Sequence, residues 1–403
     1  MTNKFRIALD CRIEEARQGV ATALMVLAKT LSESEIVSQD YTFIVNENMI
    51  AWLAPYIFGP CRLVGISDSP SFHLRQQLRQ VPLLRQLYRH VRRIYSEDSI
   101  PVSDGYVERN TFDLVHFPTQ AGYLTNIPTI YQPWDLQHLH YPEFFGMEEV
   151  KRREKEYRAF CNQAAYVCVQ AEWTKEDILK HYDIPKERIC VIPWGSVLDA
   201  YLPVGSEYLS KAREKYALPR QFFFYPAVTW PHKNHIVIIR ALKYLKEQGL
   251  YPDVYFTGMT TEHKTVLDRA AGELGVLPQL HYLGFVHPED LQAMYCLSTA
   301  LIFPSKFEGF GLPILEAFQA RTVVISSTAT TLPEVAKDGA LYFDPESPHE
   351  LAKQMRGVWE NLTTRHSLIE KGTAILSSYS MKKTVEEFQK LYEKVIEQPT
   401  RGR

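Results

Sequence analysis

Ala300-Leu301-Ile302-Phe303-Pro304-Ser305-Lys306-Phe307-Glu308-Gly309-Phe310-Gly311-Leu312-Pro313-Ile314-Leu315-Glu316-Ala317 is the stretch from which the fold can be read. The apolar run 300–303 has the length and composition of a parallel strand buried on both faces. Pro313 suits the opening of a helix, and Glu316 falls in its first turn. Strand, glycine loop and helix start, in that order, make a cradle for an anion. Backbone N–H groups of the loop and of the helix N-terminus are unpaired and sit at the positive end of the helix dipole. Glu308 and Glu316 then have a different task, because carboxylates repel phosphate and accept hydrogen bonds from hydroxyls. A ligand carrying both phosphate and sugar hydroxyls suits this arrangement.

Outward from this stretch the same unit repeats. Short β-branched and aromatic runs predict strands at 6–9, 41–45, 62–66, 113–117, 129–132, 165–169 and 189–192. A second series falls at 222–225, 254–257, 281–284, 300–303, 323–326 and 341–343. Helical patterns lie between them, so the fold class is α/β, with two doubly wound parallel sheets covered by helices. At 403 residues the chain exceeds one ordinary core, and two domains of about 200 residues are expected. Breakers at Pro193-Trp194-Gly195 and Pro203-Val204-Gly205-Ser206 put the boundary within 195–219. A crevice between two such sheets is a natural ligand site.

Composition narrows the function classes. A net charge of -2 gives no general attraction to nucleic acid, which is disfavoured as a partner. The six cysteines form no C-x-x-C pair and lie mostly in apolar runs, so buried free thiols in a reducing compartment are expected, with no zinc site. Residues 1–10 run into a strand without a signal-peptide pattern, and no window reaches 18 consecutive apolar residues. The expected location is cytoplasmic, with peripheral attachment to the inner membrane surface left open.

Lys233, in Trp230-Pro231-His232-Lys233-Asn234-His235, follows a strand end and opens a helix, where a cation can neutralise a diphosphate. An exposed lysine near a cap is the ordinary alternative. Gly19, before the helical pattern that starts near Ala23, is either a turn glycine or a close approach to phosphate or sugar. Asp135 follows another strand end and reads as a hydroxyl ligand or as a turn or N-cap aspartate. His116 ends a strand and reads as a sugar contact or as a satisfied core histidine. Segment 72–95 carries six arginines among aliphatic residues. Those arginines suit an anionic membrane or acceptor, or simply the solvated face of an amphipathic helix interrupted by Pro82. Gly309-Phe310-Gly311 lacks the third glycine of a dinucleotide fingerprint, since Ile314 stands there, and no P-loop motif occurs.

Taken together these pieces resemble the retaining glycosyltransferases of family 4, which have the GT-B fold. Residues 303–317 look like that family's E-x7-E signature, and Tyr282-Leu283-Gly284-Phe285-Val286 and Leu332-Pro333-Glu334-Val335 agree with it. The resemblance implies an acceptor-binding Rossmann-like domain over 1–200 and a nucleotide-sugar-binding one over 201–403, with the last helix, about 381–397, packing back on the first. It implies Glu308 at the transferred sugar and Glu316 on the nucleotide ribose. The N–H groups of Gly309, Phe310, Gly311 and Leu312 would bind sugar hydroxyls and phosphate, with Lys233 on the diphosphate. It further implies transfer of a hexose from a nucleotide sugar to a glycan or lipid-linked acceptor, with retention and with neither metal nor cofactor. The matched pieces look more like mannosyltransferases of bacterial surface-polysaccharide assembly than glucosyltransferases, so GDP-mannose is favoured over a UDP-sugar. A nucleotide-sugar epimerase of the same fold, or a catalytically silent sugar-nucleotide-binding scaffold, are the rival readings. The chain departs from the family pattern at Ala227, where an arginine is frequent, at Trp134, where a histidine usually precedes the aspartate, and at Ala21, the place of a second glycine. It also reads Ala320-Arg321-Thr322-Val323 where the family has a turn of small residues.

Overall fold

The structure, a computed structural model, describes residues 4–13, 19–35, 38–67, 100–200 and 203–397. The reading of 72–95 as a membrane or acceptor contact lies outside the described residues.

Two parallel sheets form, of seven and six strands. The first contains β1 (Phe5–Asp10), β2 (Gln39–Asn46), β3 (Cys61–Ile66), β4 (Leu114–Phe117), β5 (Thr129–Tyr131), β6 (Tyr166–Val169) and β7 (Ile189–Val191). The second contains β8 (Phe223–Pro226), β9 (Val254–Thr257), β10 (Leu280–Tyr282), β11 (Ala300–Phe303), β12 (Val323–Ser327) and β13 (Ala340–Phe343). Every expected strand is present, with differences only at the ends. The cause is plain in the central strands: the side chains of β4, β6, β9 and β11 are all buried, so an apolar run loses water on both faces.

Strand order is what positions a site. The sheets run β3-β2-β1-β4-β5-β6-β7 and β10-β9-β8-β11-β12-β13. Winding therefore reverses between β1 and β4 in one sheet and between β8 and β11 in the other. At such a reversal the loops leaving neighbouring strands diverge and open a crevice at the carboxyl ends. In the second sheet β8 and β11 are in direct register, Ala300 opposite Phe223 and Leu301 opposite Phe224. The loops that carry Lys233 and Glu308 thus leave adjacent strands at the same end.

Compactness divides the chain into a unit of 1–169, 175–192 and 385–403 and a second of 170–174 and 193–384. In the first unit the carboxyl-terminal part of the helix Met381–Glu397 lies on the sheet through Val385, Phe388, Tyr392 and Val395, all buried at helical spacing. Among the described residues no helix is long and apolar enough to cross a membrane.

Candidate functional site

Two loops of the second unit are sewn together before any charge is considered. Asn234 adopts the left-handed conformation (φ 58°), which its short polar side chain tolerates, and it starts the helix His235–Glu247. Its Nδ2 donates to the carbonyls of Pro304 (3.0 Å) and Pro345 (2.8 Å). Lys306 N–H donates to the His232 carbonyl at 2.8 Å, and Tyr225 Oη donates to the Lys233 carbonyl at 2.9 Å. Ser327 Oγ then donates to the Ser305 carbonyl at 2.6 Å. With both backbones held in this way, Lys233 Nζ meets Glu308 Oε1 at 2.6 Å. Both side chains keep some exposure, so this is an ion pair at the rim of the crevice and its charge is available to a ligand.

The glycine loop is fixed through its carbonyls. Thr330 Oγ1 donates to the Glu308 carbonyl (2.8 Å) and accepts from Glu308 N–H (3.1 Å). Thr331 Oγ1 reaches the carbonyls of Glu308 and Phe310, and Thr174, in the short 170–174 segment of this unit, donates to the Gly309 carbonyl at 3.2 Å. Gly311 has φ 103°, a conformation that strains any other residue, and a Cβ there would also press on Leu332 Cδ2 at 2.8 Å. It caps the helix Leu312–Gln319, whose first N–H groups have no partner within the helix. Phe310 is buried with its ring 6.0 Å from that of Tyr379, so it anchors the loop and offers only its backbone.

Glu316 sits one turn into that helix and is 8% exposed. Burial pushes its carboxyl up to about 7, against the hydrogen bond from Tyr295 Oη at 2.5 Å, which favours the ionised form. Near neutral pH it is shared between an acid that donates and a carboxylate that accepts. Both forms can bond a hydroxyl, and the carboxylate form repels a phosphate. His232 and His235 are each pushed down to about 3, first by burial, and are neutral imidazoles.

The first-unit candidates divide differently. His116 is completely buried; Nδ1 pairs with Tyr392 Oη (2.7 Å) and Nε2 with Gln132 Oε1 (3.2 Å), and its ring packs on Phe388. Burial pushes it down to about 3. Its reading as a sugar contact is corrected: both nitrogens are used inside the core. Asp135 Oδ1 accepts Gln137 N–H at 3.0 Å, the turn bond of an aspartate just ahead of the short helix Gln137–His140. Trp134 precedes it with φ 66°, unusual for so large a residue, and donates Nε1–H to the Pro118 carbonyl at 2.9 Å. Gly19 is the exposed first residue of the helix Gly19–Ser32; among the described residues a Cβ there would meet nothing within 4 Å.

Three partners escaped the sequence reading. Tyr295 and Thr330 are far in sequence from the carboxylate and the loop they hold, and Asp10 grips Arg12 through Oδ2 at 2.7 Å at the end of β1, beside the first sheet's reversal.

Comparison with known proteins adds to this geometry. Residues 210–374 match the family described as glycosyl transferases group 1, and residues 60–199 match glycosyltransferase family 4. The chain is 27% identical over 237 residues to O-antigen chain mannosyltransferase B of Escherichia coli, covering 57% of this chain and 62% of that protein. It is 32% identical over 184 residues to the serotype-specific mannosyltransferase WbdA of Escherichia coli, covering 45% of this chain and 23% of that one. The matches thus span less than two thirds of the length of these relatives. In fold it is similar to Anabaena Alr3699/HepE, solved in complex with UDP and glucose, with a TM-score of 0.72 and 16% identity, covering 97% of this chain and all of the other.

Proposed function

From the premise that this is a GT-B chain of the glycosyltransferase family 4 type, we propose that it moves a hexose, mannose in preference to glucose, from a nucleoside-diphosphate sugar to a glycan or lipid-linked acceptor, with retention and without a metal ion. The observation that carries this reading is the Lys233–Glu308 pair, 2.6 Å apart, at the β8/β11 reversal beside the glycine-capped helix. The N–H groups of Gly309, Phe310, Gly311 and Leu312, with the helix dipole, receive the phosphates. Lys233 turns part of its charge from Glu308 to the diphosphate, and that attraction grows as the leaving group becomes more negative. Glu308 is left to hold the sugar close to the reacting carbon, while Glu316 takes ribose hydroxyls. The bond from the anomeric carbon to the diphosphate oxygen breaks, its electrons stay on phosphate, and a phosphate oxygen takes the proton of the attacking hydroxyl on the same face. No protein nucleophile is needed.

The names of the relatives favour mannose as the sugar and a bacterial surface glycan as acceptor, and GDP-mannose as donor is part of the same proposal. A cytoplasmic site of action, at or near the inner membrane surface, belongs to the same proposal. The test is nucleotide release from GDP-mannose, UDP-glucose and related donors with and without glycan acceptors, beside a thermal-shift panel of GDP, UDP, ADP and their sugars. Acceptor-dependent release of one nucleotide supports transfer. Release without acceptor points to an epimerase, and binding without turnover points to a scaffold. Activity is expected to survive EDTA; loss that a divalent ion restores would overturn the metal-free step.

A further inference from the structure

We propose that His140, Asp177 and His181 of the first unit form a binding site for one divalent transition-metal ion of the zinc type, separate from the transfer reaction. The three ligand atoms lie within 4.8 Å of one another. His140 Nε2 is almost equidistant from the two Asp177 oxygens, at 2.8 and 2.9 Å, and His181 Nδ1 is 3.3 Å from Asp177 Oδ1. At zinc bond lengths the two separations from Asp177 subtend roughly 85° to 105° at the ion, and the two imidazole nitrogens, within 4.8 Å, need to stand about 3.3 Å apart for tetrahedral geometry. Two imidazoles and one carboxylate are a donor set for a borderline-soft ion and a poor one for magnesium or calcium, which prefer oxygen.

The chain holds these groups ready. Asp177 and His181 are one turn apart on the helix Glu172–His181 and therefore share a face. Asp177 is 4% exposed, a buried carboxylate that a cation relieves. His140 arrives at the end of the helix Gln137–His140, and Glu154 fastens the chain neighbours of both histidines. Glu154 Oε2 pairs with His138 Nε2 at 3.3 Å and accepts from Tyr182 Oη at 3.1 Å. One carboxylate on the helix Met147–Gln163 thus keeps His140 and His181 face to edge, with centroids 5.5 Å apart. Such outer partners orient metal-binding imidazoles elsewhere.

Uptake of the ion exchanges known bonds. The contact between His140 Nε2 and the Asp177 carboxylate is replaced by two metal bonds, with any proton on Nε2 passing to Nδ1. His181 likewise gives up its 2.9 Å bond to the Asp177 carbonyl. His140 is partly exposed, so the fourth position is open to water. A bound ion then clamps the end of one helix to the end of another.

Zinc(II) and cobalt(II) are the probes, titrated into tag-free, EDTA-stripped full chain. Calorimetry is expected to give one zinc per chain, and cobalt visible bands of a nitrogen and oxygen site without the near-ultraviolet charge transfer of a thiolate. His140→Gln, at an exposed ligand, and His181→Gln each weaken zinc by more than the about 10- to 100-fold that loss of an outer partner costs. Zinc raises the Tm of the wild type and leaves both variants unmoved. Cys296→Ser, which removes the exposed thiol, binds as the wild type does. Absence of saturable binding at millimolar zinc, affinity unchanged in both histidine variants, or a thiolate band in the cobalt spectrum would overturn the site and leave a hydrogen-bonded His-Asp-His cluster only.

Discussion

Candidate residues at strand ends met opposite fates in the two units. In the second unit, Lys233 and Glu308 leave neighbouring strands at a winding reversal and become an ion pair, with Glu316 one helical turn behind the glycine loop. In the first, His116 turns into the core, Asp135 closes a turn ahead of a short helix and Gly19 begins another helix. The difference lies in how much of each position is decided locally. A strand, a glycine with positive φ and a helix start fix where Glu308 and Glu316 project, whereas a lone residue at a strand end goes where remote elements leave room. For His116 those elements are Phe388 and Tyr392, more than 270 positions away in the chain.

Substitutions can break or sharpen this contrast. The largest effect is expected at Glu308: Glu308→Gln should lower turnover by roughly 10² to 10³ while leaving nucleotide affinity nearly unchanged, read from steady-state nucleotide release and a binding titration. An equal loss in affinity would move Glu308 from the sugar to the nucleotide. His116→Ala should cost roughly 3 kcal/mol in denaturant unfolding, from the cavity and the stranded Tyr392 and Gln132 groups. The folded fraction of that variant should keep its kcat/KM; a selective fall in kcat would return His116 to the site.

Glu316 tests the local side of the comparison through pH. Its carboxyl is raised from 4.5 to about 7, so the wild type is most stable below the ordinary carboxylate range and loses stability as pH rises through about 7. Glu316→Gln removes that loss. It should therefore gain at most about 3 kcal/mol over wild type at pH 8, shrinking to nothing near pH 4, while nucleotide binding weakens. Thermal melts at the two pH values check the sign, and equal differences at both would reject a carboxyl raised by burial. The smallest effect is expected at Asp135, where Asp135→Ala should cost about 1 kcal/mol as a lost hydrogen bond to Gln137 N–H, with turnover otherwise intact. A large kinetic defect there would make the first unit more like the second.

Much of the scaffold was legible because strands buried on both faces must be written as apolar runs. Thirteen short runs, the central ones buried on both faces, became the thirteen strands named above, and Ala300-Leu301-Ile302-Phe303 with its glycine loop located the site. The pairing of Lys233 with Glu308, 75 positions apart, was not legible, since no pattern within either strand says that β8 and β11 are neighbours. Tyr295 beneath Glu316 and Thr330 beneath Glu308 were hidden for the same reason, and so was the convergence of His140 on Asp177 and His181.

The sequence by itself determined the α/β class, the strands, the E-x7-E loop and its family resemblance, because local periodicity and backbone requirements at Gly311 and Pro313 are properties of short stretches. Tertiary structure alone decided the strand order, the ion pair at the reversal, the burial that raises Glu316 and the withdrawal of His116 into the core. Those depend on which distant segments share space, and hydrogen bonding and desolvation act only on groups that packing has already brought together.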